Sequence, residues 1–192
     1  MTKIDDAGSP VVDVAYKTAA AKTRVMPWND LDPLAVADGS PYREFPWYLG
    51  QRNYSGMYWC ATEVKLVGYE SLLELSRLLM ADFDRSAKRI VSQPFQIKAS
   101  IDGGRLTRIP DYLVLGEEEP LVIDVTRKAR MDDPKYARLF GLTRRIVESR
   151  GWKYELAHDP QRPGTSTSDS WLGIAVPGCS MIRSSVRFVA PQ

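Results

Sequence analysis

The sequence predicts an α/β fold in which helices flank a small mixed β-sheet, in the order helix, strand, strand, strand, helix, strand. Apolar residues recur at helical spacing over residues 70–83. Three segments within residues 89–126 are rich in β-branched residues and are separated by turn residues, which is typical of strands. Asp133 and Pro134 indicate a helix start, and Gly151 is a helix stop. The first three strands can pair as an antiparallel meander, and the last can join the sheet after a crossover.

Composition narrows the class of protein. The chain has 192 residues, 44% hydrophobic and 26% charged, so it can bury a core. It contains neither an apolar run of membrane-spanning length nor a basic start followed by an apolar core, which predicts a cytoplasmic protein. Two cysteines, Cys60 and Cys179, and one histidine, His158, argue against a disulfide scaffold and a Cys- or His-based zinc site. The chemistry must therefore use carboxylates, Lys, Arg or hydroxyls.

Three regions follow one another along the chain. Residues 1–44 are predicted to be an N-terminal extension, with a weakly structured part over residues 1–25 because no sustained period is present. The stretch 26–60 is rich in Pro, Gly and aromatic residues, which suits an irregular segment over a core that leads into a strand. Residues 45–158 carry the α/β domain. Residues 159–192, rich in Pro, Gly, Ser and Thr, are predicted to be a linker-like tail.

Local patterns give the elements of the central domain. The first helix is predicted to bury the apolar positions that share one face, namely Leu72, Leu75, Leu79 and Phe83. Pro94 in the next segment indicates a bulge or an edge position, because Pro cannot donate to a β-ladder. The other predicted elements are a short strand at 64–67, strands at 89–98, 106–115 and 121–126, turns at 102–104 and 116–119, a helix at 134–150 and a strand at 152–156.

Positive charge is concentrated in one window. The chain carries a net charge of +2, yet residues 127–153 contain nine basic and three acidic residues, a local net charge of +6. Such a surface suits a phosphate backbone, although a solvated helix face is the alternative interpretation. Lys135, Arg138 and Arg145 fall on one helix face and are candidate phosphate contacts. No helix-turn-helix or zinc-finger signature is present, so partners would choose the DNA sequence.

Two acids interrupt otherwise apolar strands. Asp111 and Asp124 lie in strands joined by a short turn, so they can be neighbours across a hairpin. A carboxylate in a half-buried strand is unfavourable unless it is paired or binds a cation. With Glu74 from the first helix, the three acids would form an oxygen-rich site suited to Mg²⁺ or Mn²⁺. A metal there can polarise a phosphodiester and activate water.

Each acid also has a purely structural interpretation. These interpretations are a capping box of Ser71 with Glu74, pairing of Asp111 with Arg105 or Arg108, and pairing of Asp124 with Arg127 or Lys128.

Taken together, the acids resemble a known motif. Pro110-Asp111, followed after a hairpin by Asp124-Val125-Thr126 and preceded by a helical Glu74, resembles the PD-(D/E)xK nuclease superfamily. The wider chain, over roughly residues 45–156, is similar to the TnsA-like endonuclease subunit of heteromeric transposases. The segments that carry this resemblance are 50–62, 69–84, 90–97, 109–115, 120–125 and 143–156.

The resemblance implies a restriction-endonuclease-like core and the role of a DNA-cutting subunit. Such subunits cut double-stranded DNA at transposon ends, on the strand that a partner integrase-type transposase does not transfer, and an ATPase regulator is a further candidate partner. By resemblance, Glu74, Asp111, Asp124 and the backbone carbonyl of Val125 would bind Mg²⁺ or Mn²⁺.

The chain departs from the family pattern at the motif lysine, where Thr126 stands. Lys128 would share the face of Asp124 if the strand continued, and it is the candidate general base or charge stabiliser; Lys98 is a weaker substitute. Three functions remain open. The first is an endonuclease subunit of a transposase, the second a degenerate DNA-binding or assembly subunit, and the third a stand-alone restriction or repair nuclease.

Overall fold

The computed structural model of the chain describes residues 12–43, 54–101 and 104–158, which belong to a unit spanning residues 1–159. The predicted tail and most of the predicted turn at residues 102–104 lie outside the described residues. The described part is a mixed α/β fold with three small sheets, so the predicted α/β class is confirmed.

The described elements have the following bounds. The helices are α1 (Pro33–Ala37), α2 (Leu72–Phe83), α3 (Lys128–Met131) and α4 (Pro134–Glu148), with a 3-10 turn at Trp28–Asp30. The strands are β1 (Val12–Lys17), β2 (Thr23–Pro27), β3 (Gly56–Cys60), β4 (Lys65–Tyr69), β5 (Ala87–Ser92), β6 (Gln96–Ile101), β7 (Gly104–Arg108), β8 (Tyr112–Gly116), β9 (Leu121–Thr126) and β10 (Lys153–His158). Among the described helices, none has the length and apolar character needed to cross a membrane.

The central sheet contains four strands in the order β10-β9-β8-β5. β8 is antiparallel to both β5 and β9, whereas β10, which follows α4, is parallel to β9. Local signals place α4 correctly, because the Asp133 carboxylate caps the Lys135 N–H at 2.9 Å and Gly151 adopts a φ of +76° just after the helix.

Two predicted strands are each divided between two sheets. The segment predicted as one strand at 89–98 is β5 and β6, and the segment at 106–115 is β7 and β8. Pro94 and Pro110 lie at the two breaks, where a residue without an N–H interrupts the ladder. β6 and β7 leave the central sheet and join the N-terminal hairpin in a second sheet of order β2-β1-β6-β7.

Residues 12–25 include β1 and the start of β2, so the expectation of weak structure over residues 1–25 is wrong for its described part. β1 and β2 pair as an antiparallel hairpin. Val14 and Tyr16 of β1 and Trp28 after β2 are buried in the same apolar cluster as Phe95 and Trp152. These residues therefore complete the core of the α/β domain.

Each face of the central sheet packs against a different layer. On one face, α4 contributes Phe140 and Val147 to the cluster that contains the N-terminal hairpin. On the other face, α2 packs together with β3 and β4. The buried residues of α2 are Leu78 and Ala81, so the predicted apolar face is wrong at its ends: Leu72 is 52% and Phe83 is 78% exposed.

Candidate functional site

Asp111 lies where the chain re-enters the central sheet. Its N–H donates to the Ile123 carbonyl at 3.0 Å, and its own carbonyl accepts from the Gln93 N–H at 2.8 Å. Its side-chain Oδ2 accepts a hydrogen bond from the Val125 N–H at 2.6 Å. The Asp111 carboxylate is thus held at the end of β8, beside the peptide that follows Asp124.

Asp124 is fully buried in β9, and both of its carboxylate oxygens are engaged. Oδ1 accepts from two nitrogens of Arg108, with the Nε contact at 3.1 Å. Oδ2 accepts from the Tyr154 hydroxyl at 2.6 Å. Burial and then the charge of Asp124 raise the pKa of Tyr154, so the phenol remains a donor at neutral pH. Asp124 therefore pairs with Arg108, a residue that the sequence had offered as a partner for Asp111.

The pKa of Asp111 is affected by the charges of the other two predicted acids. Burial raises the pKa of Asp111 well above its usual range, and the negative charges of Asp124 and then Glu74 add to the effect. The Val125 N–H and Arg108 act in the opposite direction and do not cancel it. A carboxyl group surrounded by like charges is most stable when it is protonated or next to a cation.

Glu74 lies in the first turn of α2 and contributes to the cap of that helix. Its Oε1 accepts from the Ser71 hydroxyl at 3.0 Å, and its Oε2 accepts from the Glu70 N–H at 2.7 Å. The Glu74 N–H donates in turn to Ser71 Oγ at 3.2 Å. Ser71 is therefore the N-cap as the capping-box interpretation requires, whereas the Glu74 carboxylate bonds the Glu70 N–H and the Ser71 hydroxyl. Its role as a metal ligand remains a prediction, and within the described ranges no group of three or more His, Cys, Asp or Glu side chains is arranged to hold a metal ion.

Lys128, the basic residue expected to continue β9, lies in α3 instead. β9 ends at Thr126, and Lys128 begins α3, so the condition that placed Lys128 on the face of Asp124 is not met. Its role as a general base stays a prediction. Lys98 is exposed on β6 in the other sheet. The basic side chain that forms an ion pair with Asp124 is instead that of Arg108.

No protein-family model matches the chain, and a search of curated proteins also finds no match.

Two residues beside the acids, Gln93 and Tyr154, were not among the candidate site residues. Gln93 has a φ of +45°, unusual for a non-glycine residue, and its backbone is bonded to Asp111. Its buried Oε1 has no hydrogen-bond partner. Tyr154 carried no signal beyond its place in an alternating strand.

The predicted phosphate contacts lie on the surface of α4. Lys135, Arg138 and Arg145 are exposed. Their neighbour Arg144 is engaged instead, because it donates to Glu148 and to the Tyr154 carbonyl at 3.2 Å each. The exposed residues are available to a polyanion, and their role in DNA binding remains a prediction.

The donor chemistry of the cluster fits a divalent cation of the Mg²⁺ or Mn²⁺ class. Asp111 and Asp124 supply carboxylate oxygens, which hard cations prefer. Thr126 shares the face of Asp124 by strand alternation, and its buried Oγ1 has no hydrogen-bond partner. Buried oxygens of this kind are rare unless a donor or cation completes them. In the arrangement described, Arg108 supplies the positive charge.

Proposed function

We propose that the chain is a metal-dependent DNA endonuclease subunit of a heteromeric transposase, acting on the non-transferred strand at transposon ends. α2, β5, β8, β9, α4 and β10 would form its restriction-endonuclease-like core. One observation carries the proposal: Asp111 and Asp124 come from neighbouring strands at the same end of the central sheet, where the Asp111 carboxylate bonds the Val125 N–H that follows Asp124. The motif resemblance at the same residues supports it.

The bound metal would polarise the scissile phosphodiester and activate water. In this proposal Asp111 and Asp124 bind the metal, with Glu74 and the Val125 carbonyl as further ligands. The Val125 N–H fixes the Asp111 carboxylate through its bond to Oδ2, and Tyr154 fixes that of Asp124. The exposed cations of α4 would contact phosphates and orient the duplex. Double-stranded DNA, an integrase-type transposase and an ATPase regulator are the proposed partners, and the cytoplasm is the proposed location.

Nicking of a transposon-end duplex with Mg²⁺ or Mn²⁺, in the presence of the transposase, tests this proposal. We expect Asp111→Asn and Asp124→Asn to lower the nicking rate by at least about a hundredfold, because each removes a ligand charge from the metal. Asp132→Asn, at an exposed carboxylate outside the cluster, is the matched control and should nick at the wild-type rate. Nicking that survives both site substitutions would place the activity elsewhere, and nicking without the transposase would indicate a stand-alone restriction or repair nuclease.

A second candidate is a degenerate DNA-binding or assembly subunit. The observation that favours it is the bonding of both carboxylate oxygens of Asp124 to Arg108 and Tyr154, together with Thr126 at the motif-lysine position. Under this candidate the wild-type chain binds transposon ends without cutting them. Thr126→Lys should then produce cleavage at least about tenfold above background, because a lysine beside Asp124 restores the missing cation. Thr107→Lys, at an exposed position of β7, is the control. Robust nicking by the wild-type chain rules this candidate out.

A further inference from the structure

Arg108 links the two four-stranded sheets. It is the last residue of β7 and pairs with Ile97 of β6 in the second sheet. Its side chain crosses to Asp124 on β9 of the central sheet. The Arg108 side chain is 23% exposed while that of Asp124 is 0% exposed, so the guanidinium lies between a buried carboxylate and solvent. The Phe140 ring of α4 supports it, at 5.3 Å from the ring centroid.

We infer that Arg108 is a built-in counter-ion that competes with a divalent cation for the Asp124 carboxylate and so keeps the proposed metal site closed. This inference rests on the proposed metal site. Tyr154 bonds Oδ2 and two nitrogens of Arg108 bond Oδ1, so a cation that binds Asp124 through Oδ1 meets the guanidinium. Two positive groups cannot share that oxygen without strong repulsion. Because Arg108 reaches solvent, its guanidinium has a route away from Asp124.

Two further observations indicate that Arg108 does not satisfy the cluster completely. Thr126 Oγ1 and Gln93 Oε1 are buried and have no hydrogen-bond partner. Thr126 follows Asp124 on the same strand face, and Gln93 is bonded through its backbone to Asp111. Arg108, held at Asp124, leaves these two oxygens without a donor, and neutral oxygens are ligands that a hard divalent cation accepts. The residue types around Asp111 and Asp124 therefore suit a divalent cation as well as the guanidinium.

Direct binding of Mn²⁺, measured by electron paramagnetic resonance without DNA or partner, tests the competition. Arg108→Gln should bind Mn²⁺ roughly tenfold more tightly than the wild-type chain, because the competing charge is gone. Arg105→Gln, at an exposed arginine on the same strand, removes an equal charge away from Asp124 and should bind as the wild type does. Adding Asp111→Asn to Arg108→Gln should abolish the gain.

Thermal unfolding gives a second readout and controls for folding. Without a divalent cation, Arg108→Gln should unfold at a lower temperature than the wild type, because Asp124 is left buried without its partner. Mn²⁺ should then raise the unfolding temperature of Arg108→Gln more than that of the wild type. Arg108→Lys keeps the positive charge and should therefore behave like the wild type in both assays. If Arg108→Gln does not fold, Arg108→Lys provides the test by itself, because tighter Mn²⁺ binding by Arg108→Lys than by the wild type would contradict charge competition.

The possible outcomes separate the two proposals. Equal Mn²⁺ affinity of the wild type, Arg108→Gln and Arg105→Gln, lost on Asp111→Asn, would overturn the role of Arg108 and leave the metal site intact. Mn²⁺ binding that Asp111→Asn does not change, or no binding by any folded variant, would overturn the metal site itself and the competition with it.

Discussion

Trp28→Ala is expected to lower the free energy of unfolding by about 3–5 kcal/mol, the usual range for deleting a buried aromatic side chain. Trp28 is only 2% exposed, and its ring makes edge contacts with Phe95 at 5.4 Å and Trp152 at 5.0 Å between centroids. Its Nε1 donates to the Ile146 carbonyl at 2.9 Å, near the end of α4. The substitution removes both the apolar contacts and this hydrogen bond.

Urea unfolding followed by tryptophan fluorescence and circular dichroism measures the effect. Trp28→Phe should lower the free energy of unfolding by less than Trp28→Ala, because the Phe ring keeps part of the apolar contact although the hydrogen bond is lost. Val25→Ala, at a 64% exposed side chain of β2, is the control and should change stability by less than about 0.5 kcal/mol. Wild-type stability of Trp28→Ala would mean that the segment before residue 44 is not part of the core.

The N-terminal strands escaped prediction because their sequence signals are short. β1 alternates Val12, Val14 and Tyr16 with other residues over only six positions, and Ala15 between them is also buried, so the strand has contacts on both faces. The neighbouring β2 is largely exposed and shows no alternation. The pairing of β1 with β6 in the second sheet depends on tertiary structure that neither segment reveals by itself.

Features that depend on a few neighbouring residues were predicted correctly, whereas features that depend on the rest of the fold were not. Asp133 and Pro134 start α4 because capping needs only neighbouring backbone groups. The buried face of α2 was misplaced because leucines lie on several sides of that helix, and the layers around it decide which are covered. Pro94 was recognised as an interruption, but not that the chain changes sheets there.

In the candidate site, too, local features were predictable from the sequence and long-range contacts were not. Strand alternation and the short hairpin were enough to predict that Asp111 and Asp124 would be neighbours. The pairing of Asp124 with Arg108 was not predictable, since it requires β7 to lie in another sheet and to direct its last residue back toward β9. For the same reason, the end of β9 at Thr126, which places Lys128 in α3, could not be predicted from the residues alone.

Asp111→Asn is expected to stabilise the metal-free protein by about 2 kcal/mol at pH 8, the scale set by a carboxyl whose pKa is raised on folding. The amide oxygen of the introduced asparagine can still accept from the Val125 N–H, while the charge that opposes Asp124 and Glu74 is removed. Because the folded pKa of Asp111 is raised, its contribution to stability is complete below the unfolded pKa of about 4 and is lost as pH rises through the folded pKa.

Urea unfolding in EDTA at pH values from about 4.5 to about 8 measures this dependence. The wild type and Asp111→Asn should have nearly equal free energies of unfolding at the acidic end, and the advantage of Asp111→Asn should grow as the pH rises. Asp132→Asn, at an exposed carboxylate, should have the stability of the wild type at every pH. A constant difference across the range would show that the charge of Asp111 does not destabilise the fold. Mn²⁺ should then stabilise the wild type and leave Asp111→Asn unchanged. Both results together would indicate that Asp111 is retained for cation binding, because the stability of the metal-free fold at neutral pH would favour the amide.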